Sequence, residues 1–445
     1  MTITFTQTFD KVQECFKAQD ISDLLPMLES VTIIRDVLGK IRLFLEPLPE
    51  NSFEEAKITQ LESLLKQELG LYYGDDIWVP KRDREPYKAL IKTIKEERVP
   101  AFWDDELASP RWYILERHIA KQAWTDQKTQ EPPWPHKFVL ENHKKPAIVS
   151  FFSFKGGVGR TSTLVATALT LARQGHRVAI IDLDLEAPGL GTIFRLDTSN
   201  NPGVIDYLLE KKVQEEYKLP SLFQITDSIL LGDEGQAIKL LSAGTVDENY
   251  LEKLARLDFQ NLVHGQLQKT LQDMLKELQK KESLDFILMD ARAGFHDLGG
   301  LAITKFSHAV VIFGTQSRQS WAGLTHVIRH LATSDELQVV LIQAMAPALG
   351  IPGREKELQK FREDAYDIFK DNYYLKEENV PNPNDKEGPF RPIIIPYENI
   401  LRGDIALFLN NETLEESNRL SGLVEIMTKK PYTDIAFKLC ELFER

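Results

Sequence analysis

Apolar residues fall into short unbroken runs from about residue 146 onward, at 147–152, 177–182, 284–290, 308–314, 337–343 and 391–396. Runs of this kind, bounded by polar and glycine-containing segments, predict strands buried on both faces. Between them, residues 163–173, 203–217, 246–281 and 356–369 space their apolar positions at helical intervals. Strands alternating with helices predict an α/β fold: a mostly parallel, doubly wound sheet with helices on both faces.

The pattern differs before residue 130. Helices are predicted at 8–17, at 21–28, and at 52–69, where Ser52 and Glu55 have capping-box spacing. A further helix is predicted at 84–97. Alternation predicts strands at 40–46 and 76–79. This reads as a smaller α/β domain over 1–130, joined by a proline-rich linker over 131–145 to the main domain at 146–410. Helices over 411–445 are expected to pack on that domain. Trp103, Trp112, Trp124 and Trp134 gather towards the end of the first domain and suit core or interface packing.

The segment from Phe151 to Thr163, FFSFKGGVGRTST, sits between the first buried strand and the helix that ends before Gly175. A glycine-rich turn leading into a helix lets backbone N–H groups converge on an anion at the positive end of the helix dipole. Aligned on Gly159, the loop has Arg160 in place of the usual phosphate-loop lysine, Thr161 as the hydroxyl that ligates magnesium, and Phe154 where the first glycine belongs. An additional lysine, Lys155, opens the loop. A dinucleotide site remains an alternative, since Gly157, Gly159 and Ser162 imitate its fingerprint and Asp182 lies downstream. That alternative requires neither Lys155 nor Thr161.

The K-G-G-x-G-[KR]-[ST] pattern resembles the deviant Walker A signature of the ParA/MinD class of P-loop ATPases, in its KGGVGR form. The likeness extends over about residues 146–408. It includes the D-x-D of Asp182 and Asp184 after one strand, and Asp290 ending another as in a Walker B motif. The resemblance implies ATP and Mg²⁺ as ligands, held by Lys155, Gly156, Gly157, Val158, Gly159, Arg160, Thr161 and Ser162. It also implies Gln343 and Pro396 at the base, and Thr161, Asp184 and Asp290 on the metal side. Catalytic roles fall to Lys155, reaching across a dimer interface, to Arg160, and to Asp184, which orients water. Arg292, in the second switch, departs from the family's usual proline-glycine turn. It reads either as a catalytic group or as a salt-bridging one.

An ATP-dependent homodimer follows from the resemblance. The implied activity is slow hydrolysis by a switch that recruits or positions a protein partner through the amino-terminal domain. A bacterial conflict or defence system is one setting. A non-hydrolysing sensor or scaffold and a DNA-partitioning ATPase are the alternatives.

Composition narrows these readings. Of 445 residues, 42% are hydrophobic and 27% charged, as in an ordinary folded protein. The net charge of −13 disfavours a generally basic nucleic-acid surface, although a local patch is compatible with it. No apolar run is long enough for a bilayer, and the first residues lack the pattern of a secretory signal. Two cysteines, Cys15 and Cys440, suit a reducing compartment and exclude a disulfide scaffold. A cytoplasmic protein is therefore expected. His326 and His330 share a helix face without the remaining features of a zinc motif.

Overall fold

A computed structural model describes residues 3–19, 21–48, 55–80, 85–101, 111–118, 121–125, 132–141, 144–196, 201–261, 266–332, 336–374, 376–385, 387–403, 405–410 and 413–445. The chain folds as two compact units, 1–119 and 120–445.

The first unit is built on a five-stranded sheet. Its strands are β1 (Leu28–Arg35), β2 (Ile41–Pro47), β3 (Tyr73–Trp78), β4 (Val99–Pro100) and β5 (Arg111–Glu116), in the order β3-β2-β1-β5-β4. β1 runs antiparallel to β2 and parallel to β5. Helices Thr8–Lys17 and Glu55–Leu69 supply Val12, Phe16, Leu61 and Leu65 to its main core. A smaller cluster contains Ile34, Phe44, Ile94 and Leu115. Buried Glu46 accepts hydrogen bonds from Ser30 at 2.6 Å and Arg98 at 2.8 Å, so its charge is matched inside the fold.

The helix expected at 21–28 is absent. A turn and a 3₁₀ segment containing Pro26 lead directly into β1. Its β-branched run Val31-Thr32-Ile33-Ile34 favours the pleated conformation. β1 and β5 were not anticipated from the periodicity. Ser52 and Arg84 of the expected helices, and Trp103, lie outside the described residues.

Among the described residues, the other three tryptophans of that group belong to different cores. Trp112 stacks edge-on against Phe16 in the first unit, whereas Trp124 and Trp134 belong to the core of the second.

The second unit contains an eight-stranded sheet. Its strands are β6 (Ala147–Ser153), β7 (Val178–Asp182), β8 (Phe223–Ile225), β9 (Ile238–Leu241), β10 (Phe286–Asp290), β11 (Ala309–Gly314), β12 (Gln338–Ala346) and β13 (Ile393–Pro396). The order is β13-β12-β11-β6-β10-β7-β9-β8, with only β8 antiparallel to its neighbour. All residues of β6, β7, β10 and β11 are buried, as strands covered on both faces must be.

Helix Arg160–Arg173 lies against β6, β7 and β10, and helices Leu414–Met427 and Tyr432–Leu442 pack on it in turn. Arg318–Leu331 and Arg354–Asn372 pack on each other over β11 and β12. The long helix expected at 246–281 is two helices, Tyr250–Asn261 and Gln266–Lys281.

His308 pins the entry to this sheet. Its Nδ1 accepts the Ile148 N–H at 3.0 Å, so Nε2 carries the proton and donates to the Trp134 carbonyl at 2.9 Å. Burial holds the imidazole far below its ordinary pKa, at about 3. The unfolded chain takes up a proton near pH 6.5, while the folded chain refuses it until about pH 3. Stability present above pH 6.5 is therefore lost progressively as pH falls through that window, at up to about 1.4 kcal/mol per pH unit for this group. Urea midpoints at pH 7.5 and pH 5 should show the loss, and His308→Gln should flatten it.

Candidate functional site

β6 and β10 lie side by side at the centre of the sheet, with β11 and β7 outside them. The chain departs in opposite directions from this point, and the carboxyl ends of the strands open a crevice there. Three of the acidic residues singled out in the sequence meet at these ends. Asp290 ends β10 and Asp182 ends β7, with Asp184 two residues beyond. The turn after β6 carries the glycines.

Helix Arg160–Arg173 begins three residues earlier than its periodicity suggested, because the turn itself winds into it. Gly159 is its N-cap, with φ of 83°, and Gly157 has φ of 72°. Side chains are disfavoured at both angles. A Cβ at Gly156, Gly157 or Gly159 would meet no atom within 4 Å, so the turn faces open space. Residues 156–163 line a cleft of about 480 Å³. Met345, Ile395, Pro396, Tyr397, Leu401, Ile405 and Tyr432 line it as well. This is an ordinary volume for a small-molecule site, polar at one end and largely apolar at the other. Ser153 Oγ, also in the lining, is buried without a hydrogen-bond partner.

The carboxylates sit at the polar end. Asp290 Oδ2 accepts the Thr161 hydroxyl at 2.6 Å, and its Oδ1 accepts Arg160 Nε. Arg160 Nη2 donates to Asp184 Oδ2 at 2.8 Å. Burial disfavours the charge of the guanidinium, yet Asp290 and Asp184 outweigh it and raise the Arg160 pKa. Burial also lifts the Asp290 carboxyl above its ordinary range, against the pull of Arg160 and Thr161.

Asp182 plays a different part from its neighbours. Fully buried, it accepts the backbone N–H groups of Asp184 at 3.1 Å and of Gly189 and Leu190 at 3.0 Å. It thereby folds the loop that carries Asp184. Burial and the nearby Asp290 push its pKa up to about 7.

An outer ring of charge joins the loops after β7 and β10. Arg292 Nη2 pairs with Glu186 at 2.6 Å, and its Nη1 lies 3.8 Å from Asp184 Oδ1. His296 Nε2 is 2.8 Å from the other Glu186 oxygen. Arg292 thus makes the salt bridges that one of its two sequence readings anticipated. Glu186 and His296 carried no motif and were missed.

The remaining expected residues are distributed differently. Pro396 lines the apolar end of the cleft. Lys155 is exposed and lies outside the lining. Gln343 does not line the cleft either; it is 1% exposed, and both ends of its carboxamide lack hydrogen-bond partners. Met345, two residues along β12, lines it instead at a φ of 57°. Tyr397, Glu398, Leu401, Arg402, Gly403, Ile405 and Tyr432 come from segments distant in sequence from the glycine turn, which no local pattern marks. His326 and His330 lie on the helix over β11, where His330 Nδ1 faces the His326 carbonyl at 2.9 Å.

The donor set fits a nucleotide and a hard divalent cation. The open turn offers amides to phosphates. Thr161 Oγ1, Asp290 and Asp184 are oxygen donors of the kind magnesium takes. Arg160 bridging the two carboxylates is a cation standing among those same oxygens.

Residues 146–340 match the family model of an AAA domain. Among curated relatives, a cytosolic Fe-S cluster assembly factor of Saccharomyces cerevisiae is 36% identical over 91 residues, 20% of this chain and 31% of that protein. An iron-sulfur cluster carrier protein of Pseudomonas fragi is 42% identical over 59 residues, 13% of this chain and 21% of its own. A putative septum site-determining protein MinD of Chlorella vulgaris is 28% identical over 167 residues, 37% of this chain and 49% of that one. The chain thus spans half or less of the length of each of these three relatives. Among solved structures, pNOB8 ParA bound to nonspecific DNA aligns with a TM-score of 0.45 at 16% identity, over 67% of this chain and 99% of that one.

Proposed function

We propose, from the premise that residues 146–340 are a P-loop ATPase domain of the ParA/MinD-like class, that this chain is a magnesium-dependent ATP switch with slow turnover. The observation that carries the reading is the glycine turn opening onto the cleft, with Thr161 bonded to Asp290 at its polar end. Backbone N–H groups of residues 156–162 bind and orient the phosphates. Thr161, Asp290 and Asp184 would hold magnesium, whose contribution when bound is to neutralise phosphate oxygens. Asp184 positions the attacking water, and its loop is kept in shape by Asp182. Pro396, Tyr397 and Met345 enclose the base. Phosphoryl transfer depends chiefly on such placement and charge, so few reactive groups are required.

The exposure of Lys155 suits a role towards a second copy of the chain. ATP would close two copies over their cleft mouths, each Lys155 meeting the partner's nucleotide. The unit at 1–119 would then recruit a protein partner according to the nucleotide state. With ATP and magnesium, the full chain should double its mass by light scattering. Lys155→Ala should remain monomeric while binding a fluorescent ATP analogue within about threefold of wild type, because the loop amides still supply most of the phosphate contacts. An ATP-induced dimer retained by Lys155→Ala would contradict the role of that lysine.

One observation favours a second reading, a sensor that binds ATP without hydrolysing it: Arg160 engages the carboxylates on which hydrolysis depends. Phosphate release measured over hours separates the two.

A further inference from the structure

The oxygens suited to a divalent cation are already engaged by a cation belonging to the chain. Arg160 is 8% exposed, and its guanidinium spans two carboxylates from separate strands: Asp184 beyond β7 through Nη2, and Asp290 at the end of β10 through Nε. The remaining Asp290 oxygen is taken by Thr161. The far oxygen of Asp184 makes no hydrogen bond and has Arg292 3.8 Å away. Every group expected on the metal side is therefore bonded to Arg160 or to a partner of Arg160.

A lysine in this place would behave differently. Its ammonium is a compact, strongly hydrated charge without the planar fork that lets one side chain satisfy two carboxylates at once. Buried carboxylates left unmatched are costly, so a metal arriving alone would have to displace an ion already paired twice. An incoming triphosphate changes that balance. It offers the guanidinium several anionic oxygens within the same cleft and frees Asp184 and Asp290 as it does so.

We propose that Arg160 is a positioning residue that closes the divalent-cation site of the nucleotide-free protein. Guanidinium and metal are alternatives for the same carboxylate oxygens, and phosphate is what moves the guanidinium off them. This deepens, and rests on, the nucleotide reading given above. Metal and nucleotide are then coupled through one side chain, and by linkage each raises the other's affinity by the same factor.

The test compares Mn²⁺ binding to the full-length, nucleotide-free protein by electron paramagnetic resonance, alongside binding of a fluorescent ATP analogue. Arg160→Met should bind Mn²⁺ at least about tenfold more tightly than wild type, a factor within the usual range for coupled sites. Arg160→Met combined with Asp290→Asn should lose that gain. Arg160→Lys keeps the charge that the fold needs and should fall between wild type and Arg160→Met. If Arg160→Met does not fold, the lysine variant alone decides. Equal Mn²⁺ affinity in wild type and variants, with the ATP analogue bound by all of them, overturns the proposal while leaving the nucleotide reading standing. Failure of the wild type to bind the analogue in the presence of magnesium overturns the nucleotide reading itself.

Discussion

Asp290→Asn is expected to reduce phosphate release about 100-fold, equivalent to roughly 2.7 kcal/mol of transition-state stabilisation. The substitution keeps size and shape, so the carboxamide oxygen can still accept the Thr161 hydroxyl. It removes the anion and turns an N–H donor towards Arg160, itself only a donor. Burial raises the Asp290 pKa, while Arg160 and Thr161 favour its charged form. The substitution removes the group on which those two partners converge at the end of β10. Arg160 keeps Asp184 at 2.8 Å, so the stability loss should be limited to about 1–3 kcal/mol. Phosphate-release assays under saturating ATP and magnesium, with urea unfolding as the control, check this. A variant within threefold of wild-type turnover would remove Asp290 from the mechanism.

Gly203→Val should be the most damaging of the small substitutions, costing at least about 3 kcal/mol through overpacking and broken backbone hydrogen bonds. Gly203 caps helix Val204–Val213, whose first turn rests on the chain just after β9. The Val204 N–H donates to the Ser242 carbonyl and the Ile205 N–H to that of Ala243, each at 2.9 Å. A Cβ on Gly203 would lie 2.3 Å from the Gly244 nitrogen and 2.4 Å from the Ser242 oxygen. These are backbone atoms and cannot rotate aside. The helix must lift away, losing both bonds. Gly175→Ala is the contrast: its φ is 90°, yet a Cβ there meets nothing within 4 Å, so only backbone strain of about 1–2 kcal/mol is expected. Urea midpoints of the two variants should differ accordingly. Equal midpoints would mean that the close approach at Gly203 relaxes without cost.

Much of the second unit is legible in its sequence because the signals are local. A buried parallel strand must be apolar throughout, and β6, β7, β10 and β11 are. The turn before Arg160 announces itself because only glycine tolerates the angles at 157 and 159. The aspartates at 182 and 290 stand at strand ends, where chain direction alone brings them together. The first unit was less legible. β1 and β5 belong to a sheet of mixed pairing, and their partners lie up to about eighty residues away.

Two features of the site had no local signal. The apolar end of the cleft combines Met345, Ile395, Pro396, Tyr397, Leu401, Ile405 and Tyr432, which are brought together only in space. The orientation of Arg160 was equally hidden. Its place in the motif suggested phosphate as its partner, whereas the structure pairs it with Asp184 and Asp290. A buried guanidinium must find anions wherever the fold provides them.

The order of residue types along the chain thus determined which strands are buried, where the glycine turn lies, and which carboxylates end the strands. These are properties of neighbours in sequence: periodicity, glycine angles, and an acid at the end of an apolar run. Tertiary structure alone decided which charges pair, which amide is left without a partner at Gln343, and what walls the cleft. Those outcomes depend on atoms brought within about 3 Å from segments well separated in sequence, and such distances exist only once the sheet has formed.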